Sequence, residues 1–187
     1  MAAETNVFVP LCGKSLDMIW LAEQGYRVIG VELSPIAVRD FFKENGFKPT
    51  KKEFGQFALW QYERISILCG DYFSLSENDL GQIDIVYDRA SLTALPEDTR
   101  KTYVSHLKTI VQDSTKIFLL TIEDAEENET LNDALGIGDE IASLYTSEFD
   151  ISLVHVDSVF EVDPESLSEQ TVRTEYKVYN LSKRSND

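Results

Sequence analysis

The stretch Val7 to Ser34, VFVPLCGKSLDMIWLAEQGYRVIGVELS, constrains the fold more than any other part of the chain. Val7 to Leu11 and Arg27 to Leu33 are short apolar and β-branched runs, which suit buried strands. Between them, Ser15 to Gln24 places Leu16, Ile19, Trp20 and Glu23 at helical spacing, and Gly25 follows as a stop. Ser34-Pro35 then has the form of an N-cap with proline at the first helical position, opening a helix to about Asn45-Gly46. The first 45 residues therefore predict one β-α-β-α unit.

The alternation continues. Lys48 to Phe54 reads as a basic loop, and Phe57 to Tyr62 and Ile65 to Cys69 as two strands joined by a tight Glu63-Arg64 turn. Gly70-Asp71 closes the second, and Ile83 to Tyr87 is a further buried strand. Pro96 opens a helix to about Val111, and Lys116 to Ile122 is another strand. Asp124 to Asp133 is an acidic loop, and Gly138 to Tyr145 a short helix. Phe149 to Phe160 and Thr171 to Leu181 suit two long strands, paired antiparallel at one sheet edge through a Pro164-containing loop. Such alternation argues for an α/β fold with a mainly parallel sheet covered by helices on both faces. With 187 residues, 43% of them hydrophobic, we expect a single domain over 1–187 with a sizeable core.

Charge narrows the partners. The formal net charge is −16, and Ile117 to Val172 holds fifteen Asp or Glu with no Lys or Arg. That field repels phosphate backbones and anionic membranes, so neither nucleic acid nor membrane is an expected partner. Two cysteines, Cys12 and Cys69, are too few for a disulfide framework and fit a reducing cytosol. No stretch approaches the roughly 18 apolar residues of a membrane span, and no secretory signal is visible. A soluble, cytoplasmic protein is expected, and a monomer.

In an open α/β sheet, ligands bind beyond the carboxyl ends of the strands. Four segments fall there: Leu11, Cys12 and Gly13; Glu32 with Leu33; Asp71 with Tyr72; and Asp88-Arg89. Gly13 lets the turn bend sharply and a ligand approach the backbone. Glu32, nineteen residues later, is placed to accept hydrogen bonds from a ribose diol. Asp71 can accept from an exocyclic amine, Tyr72 or Phe73 can offer a face beside a ring, and Arg89 can hold a carboxylate or steady the backbone. Each has a plain alternative: a strand-to-helix turn for Gly13, a solvated acid for Glu32, turn or helix residues for Asp17 and Asp88. A thiol beside a helix N-terminus can have a lowered pKa, but Cys12 equally suits small-residue packing.

Several chemistries are disfavoured. There is no G-x-G-x-x-G, no G-x-x-x-x-G-K-[ST] and no G-x-S-x-G, so a nicotinamide oxidoreductase is a remote alternative and an ATPase or serine hydrolase has no support. His106 and His155 lack a nearby Cys or His in sequence, so no metal site is expected.

VPLCGKSLDMIWLAEQGYRVIGVELS, followed by Phe41-Phe42, CGDYFSL at Cys69 to Leu75 and YDRASLTALP at Tyr87 to Pro96, resembles the thiopurine S-methyltransferase family. The resemblance implies a Rossmann-like class I methyltransferase fold, with a seven-stranded sheet whose last strand is antiparallel. It implies S-adenosylmethionine as cofactor, S-adenosylhomocysteine as product, and a small-molecule nucleophilic acceptor such as a thiol, a thiopurine, or a selenium or tellurium compound. Cofactor contacts would fall on Leu11, Glu32, Asp71 with Tyr72, and Arg89. The departures lie on the acceptor side: a short segment before Val7 in place of the family's N-terminal lid, and EDAEENETLNDALGIG in place of a Gly-Pro-Pro-containing loop. A noncatalytic cofactor-binding or interaction protein on the same fold is therefore the alternative.

Overall fold

The computed structural model describes residues 5–89, 91–124, 136–162 and 171–184. They gather into two compact units, 1–87 with 105–115 and 88–104 with 116–187.

The first unit holds β1 (Asn6–Val9), α1 (Asp17–Glu23), β2 (Arg27–Glu32), α2 (Pro35–Glu44), β3 (Thr50–Phe54), β4 (Phe57–Tyr62), β5 (Ile65–Cys69), a 3-10 turn (Tyr72–Ser74), α3 (Glu77–Leu80) and most of β6 (Ile85–Arg89). Its strands lie in the order β3-β4-β5-β2-β1-β6. β5, β2, β1 and β6 are parallel, while β3 and β4 add an antiparallel hairpin beside β5. Parallel strands buried on both faces need apolar side chains at nearly every position. Val7, Val9, Val28, Ile65 and Ile67 meet Met18 and Leu21 of α1 and Val38, Phe41 and Phe42 of α2 in one core. At α2 the expected cap is present: Ser34 Oγ accepts the Ala37 amide at 3.2 Å, and Pro35 is the first helical residue.

Two expectations fail here. Lys48 to Phe54 was expected as a basic loop, yet Thr50–Phe54 is a strand, because its backbone pairs residue by residue with β4. All its residues but Phe54 are exposed and Lys51 lies 4.5 Å over the Trp60 ring, so this edge strand keeps its lysines in water. In α1 the buried residues are Met18 and Leu21, whereas Leu16 and Trp20 are 63% and 55% exposed. Helical spacing located the helix but mistook its inner face.

The second unit holds α4 (Ser91–Ala94), the first half of α5 (Glu97–Ile110), β7 (Lys116–Asp124), α6 (Asp139–Tyr145), β8 (Phe149–Val162) and β9 (Thr171–Lys183). β9 runs antiparallel to both β7 and β8, which is the expected late antiparallel strand. Among the described residues nine strands thus stand where seven were expected. The fold is the expected Rossmann-like α/β class. On the face shared by β7 and β9, Glu175 and Lys177 are buried. Lys177 Nζ is 2.9 Å from Glu123 and 3.4 Å from Glu175, and Tyr179 Oη donates to Glu123 at 2.9 Å. Buried charges survive folding only when paired in this way. Among the described residues no helix is long and apolar enough to cross a membrane.

Gly30, in the middle of β2, is where the first unit is tightest. A Cβ there would stand 2.7 Å from Cys12 Sγ and 3.2 Å from Met18 Sδ. Gly30→Ala should therefore lower the free energy of unfolding by about 1–3 kcal/mol, the cost of overpacking. In a Cys12→Ala background the same change should cost clearly less. Denaturant unfolding of the two pairs checks this, and equal costs in both backgrounds would refute the contact as the cause.

Candidate functional site

The carboxyl ends of β1, β2 and β5 converge in the first unit. After β1 the chain turns through Leu11 and Gly13, with φ of 46° and 52°. A left-handed conformation costs a leucine roughly 1–2 kcal/mol, and such strain is held only where neighbours fix the backbone. The fixing bonds are visible: Cys12 N donates to Val31 O at 2.9 Å, and Gly13 N donates to Glu32 Oε2 at 3.0 Å. A Cβ on Gly13 would meet nothing within 4 Å. The glycine is thus required by its φ, and the space above it is open.

Glu32 is the centre of this arrangement. Its Oε1 accepts the Ser34 amide at 2.7 Å and its own carbonyl accepts the Gly70 amide at 3.0 Å. A carboxylate offers about four acceptor positions, and one backbone amide sits on each oxygen, so acceptor capacity remains on both. Beside it, Leu33 is 68% exposed. The sequence pointed to Glu32 but not to Ser34, whose N-cap role concealed its second bond.

After β5, Asp71 accepts the Phe73 amide at 3.0 Å and caps the 3-10 turn. Tyr72 is 3% exposed, with its ring edge-on to Phe73 and to His106. Phe73 is 41% exposed, so of the two aromatic residues it is Phe73 that presents an accessible face. His106 Nε2 lies 3.0 Å from Tyr72 O, which ties α5 to the segment after β5. Among the described residues no group of three or more His, Cys, Asp or Glu could hold a metal ion.

Cys12 is buried, and burial followed by the charge of Glu32 pushes its thiol far above the usual range. Its side chain packs against Gly30 of β2, which fits the packing alternative. Cys69 is also a free thiol, raised first by partial burial.

Asp88 and Arg89 belong to the second unit. Asp88 is fully buried at the end of β6 and accepts Tyr103 Oη at 2.6 Å and the Ser91 amide at 3.0 Å. Arg89 is exposed. Asp17 is the first residue of α1, as the helix alternative has it, and accepts Tyr87 Oη at 3.2 Å.

The model of the thiopurine S-methyltransferase family matches residues 1–184. The chain belongs to the thiopurine S-methyltransferase family. A thiopurine S-methyltransferase of Stutzerimonas stutzeri is 58% identical over 181 residues, covering 97% of this chain and 76% of the relative. One of Nitrosospira multiformis is 42% identical over 185 residues, covering 98% and 84%. The fold is shared with solved methyltransferases of low identity. A Burkholderia thailandensis 1,6-didemethyltoxoflavin-N1-methyltransferase, solved with S-adenosylhomocysteine, superposes with TM-score 0.58 at 17% identity over 97% of this chain and 72% of its own. An S-adenosylmethionine-dependent methyltransferase of Anabaena variabilis gives 0.60 at 15%, over 96% and 77%.

The residues present suit the family's cofactor. A ribose diol needs acceptors, and Glu32 has capacity on both oxygens; an adenine needs an apolar surface, and Leu33 and Phe73 supply exposed apolar side chains.

Two outcomes follow from this geometry. Glu32→Ala leaves the Gly13 and Ser34 amides without their partner, and should cost about 1–3 kcal/mol of stability in denaturant unfolding. Because the Cys12 thiol is raised, it stays protonated at pH 7–8 in the folded protein. Iodoacetamide at pH 7.5 should leave Cys12 unmodified by peptide mass spectrometry until denaturant is added; rapid native alkylation would contradict the burial argument.

Proposed function

We propose that this chain transfers the methyl group of S-adenosylmethionine to a small soft nucleophile: a thiol, a thiopurine, or a selenium or tellurium compound. S-adenosylmethionine-dependent methyl transfer is the chemistry of the family to which the chain belongs. The observation that carries the assignment to particular residues is Glu32, held between the Gly13 and Ser34 amides with acceptor capacity left on each oxygen.

Glu32 would bind the ribose diol, Leu11, Cys12 and Gly13 would border the cofactor through main chain and shape, and Leu33 would pack on its apolar surface. Asp71 would take the adenine end, where Phe73 in place of the buried Tyr72 presents an accessible ring, and Arg89 is kept as a proposed cofactor contact. The bound cofactor supplies a methyl group on a positively charged sulfur, activated for direct in-line displacement. For such a reaction the chain's task is to hold the nucleophile in line and keep water away. A soft thiolate needs little help from a base, and no general base is assigned. The charge of −16 supports a small molecule over a polyanion as acceptor, and the chain is proposed to act as a cytoplasmic monomer.

Calorimetry with S-adenosylmethionine, S-adenosylhomocysteine and NAD tests the donor. The first two should bind and NAD should not; NAD binding alone would sink the proposal. Glu32→Ala should weaken cofactor binding by about 1–3 kcal/mol, the scale of lost bonds to a charged group. A panel of thiols, a thiopurine, selenite and tellurite tests the acceptor. Cofactor binding with no methylation of any member would favour the noncatalytic alternative.

A further inference from the structure

His106, in the half of α5 that belongs to the first unit, meets the turn after β5 with both a nitrogen and its ring. Its Nε2 lies 3.0 Å from Tyr72 O. A carbonyl can only accept, so this nitrogen carries a proton and donates. The same carbonyl accepts the Leu75 amide at 3.1 Å, which fills both of its acceptor positions. The imidazole stands 5.1 Å from the Tyr72 ring, edge-on at 76°, and 5.7 Å from the Phe73 ring, tilted at 53°. Tyr72 and Phe73 are themselves edge-on at 5.2 Å. The three rings form one cluster at separations where aromatic pairs attract.

The cluster is unevenly covered. Tyr72 is buried and His106 half-buried, whereas Phe73 is exposed, so the Phe73 ring has a supported side and an open side. Its backbone is held as well: Asp71 Oδ1 accepts the Phe73 amide and Asp71 O accepts the Ser74 amide, each at 3.0 Å. Backbone bonds fix where the Cα lies but leave the ring free to change rotamer. What restrains the ring is the packing of Tyr72 and His106 against it. We infer that His106 is a positioning residue for Phe73: its Nε2–H holds the Tyr72 carbonyl and its ring backs the Phe73 ring, so that the open side of Phe73 meets the adenine in one orientation. The inference rests on the assignment of the adenine end to Asp71 and Phe73 made above, and every residue in it belongs to the first unit. A preorganised ring adds affinity because less freedom is lost when a base stacks on it. The two contributions of His106 are separable, since glutamine keeps an N–H donor without a ring and phenylalanine keeps a ring without a donor.

Titration calorimetry with S-adenosylhomocysteine on the full chain separates positioning from folding, because stoichiometry reports the folded fraction and Kd the geometry of the site. Phe73→Ala should raise Kd roughly tenfold, within the scale of a base stacked on an aromatic ring. His106→Ala should raise it roughly threefold or more at unchanged stoichiometry, and should add little in the Phe73→Ala background, as coupled neighbours do. His106→Gln and His106→Phe should each fall between wild type and His106→Ala, and they carry the same comparison if His106→Ala does not fold. Four results would overturn the inference: lower stoichiometry at unchanged Kd, a His106→Ala effect undiminished by Phe73→Ala, Gln and Phe variants no better than Ala, or a Phe73→Ala variant that binds like the wild type. No binding by the wild-type chain would instead remove the cofactor assignment itself, and this inference with it.

Discussion

The carboxylate of Glu32 is the interaction on which the rest of the first unit depends. Three segments that must end together, the turn after β1, the turn before α2 and the end of β5, each bond to this residue. Without those bonds Leu11 would have no reason to stay at positive φ, and Gly13 would be one more loose loop residue. Preorganisation of this kind means that a ligand meets donors and acceptors already aligned, so that less of its binding energy goes into ordering loops. In the proposed reading Glu32 both shapes the site and binds the ribose, so its removal is expected to carry both a stability and an affinity cost.

The second unit solves a different problem with related means. Its late strands place Glu123, Glu175 and Lys177 on an inner face, where each charge has an opposite partner within 3.4 Å. Replacing such a network with apolar side chains is often neutral for stability, whereas removing one member leaves a buried charge without compensation. Asp88 follows the second half of that rule with hydroxyl and amide donors instead of cations. Both arrangements sit at the carboxyl ends of strands, β6 and β7, where an open α/β sheet carries its chemistry.

Much of this was legible in the sequence, for identifiable reasons. The β-α-β-α beginning, the hairpin from Phe57 to Cys69 with its Glu63-Arg64 turn, and the late antiparallel pair all follow from strong apolar patterning and turn residues. Strand-end positions followed from topology, and Glu32 and Gly13 do meet. What escaped was set by tertiary pairing. β3 carries the composition of a loop and becomes a strand only because β4 offers it a ladder. The inner face of α1 could not be distinguished from its outer one, since Leu16 and Trp20 are as apolar as Met18 and Leu21. The alternating charges of β9 look like a solvated face until the opposing Glu123 is known. Tyr72 was as good an aromatic platform as Phe73 until burial chose between them.

A single glycine after β1 suffices here for a chemical reason. Dinucleotide sites need a glycine-rich turn because a pyrophosphate must lie against bare backbone. S-adenosylmethionine has no phosphate, so the turn has only to bring a backbone amide to Glu32 and leave space beyond it. Gly13 does both, with positive φ and no neighbour within reach of an added Cβ. Donor recognition of this kind falls on short segments at strand ends, close enough in sequence to leave a motif. Acceptor recognition carries no such constraint, because a soft nucleophile demands alignment and dryness from its surroundings and no fixed set of partners. That asymmetry explains why the donor side can be proposed residue by residue while the acceptor is proposed only by its chemical class.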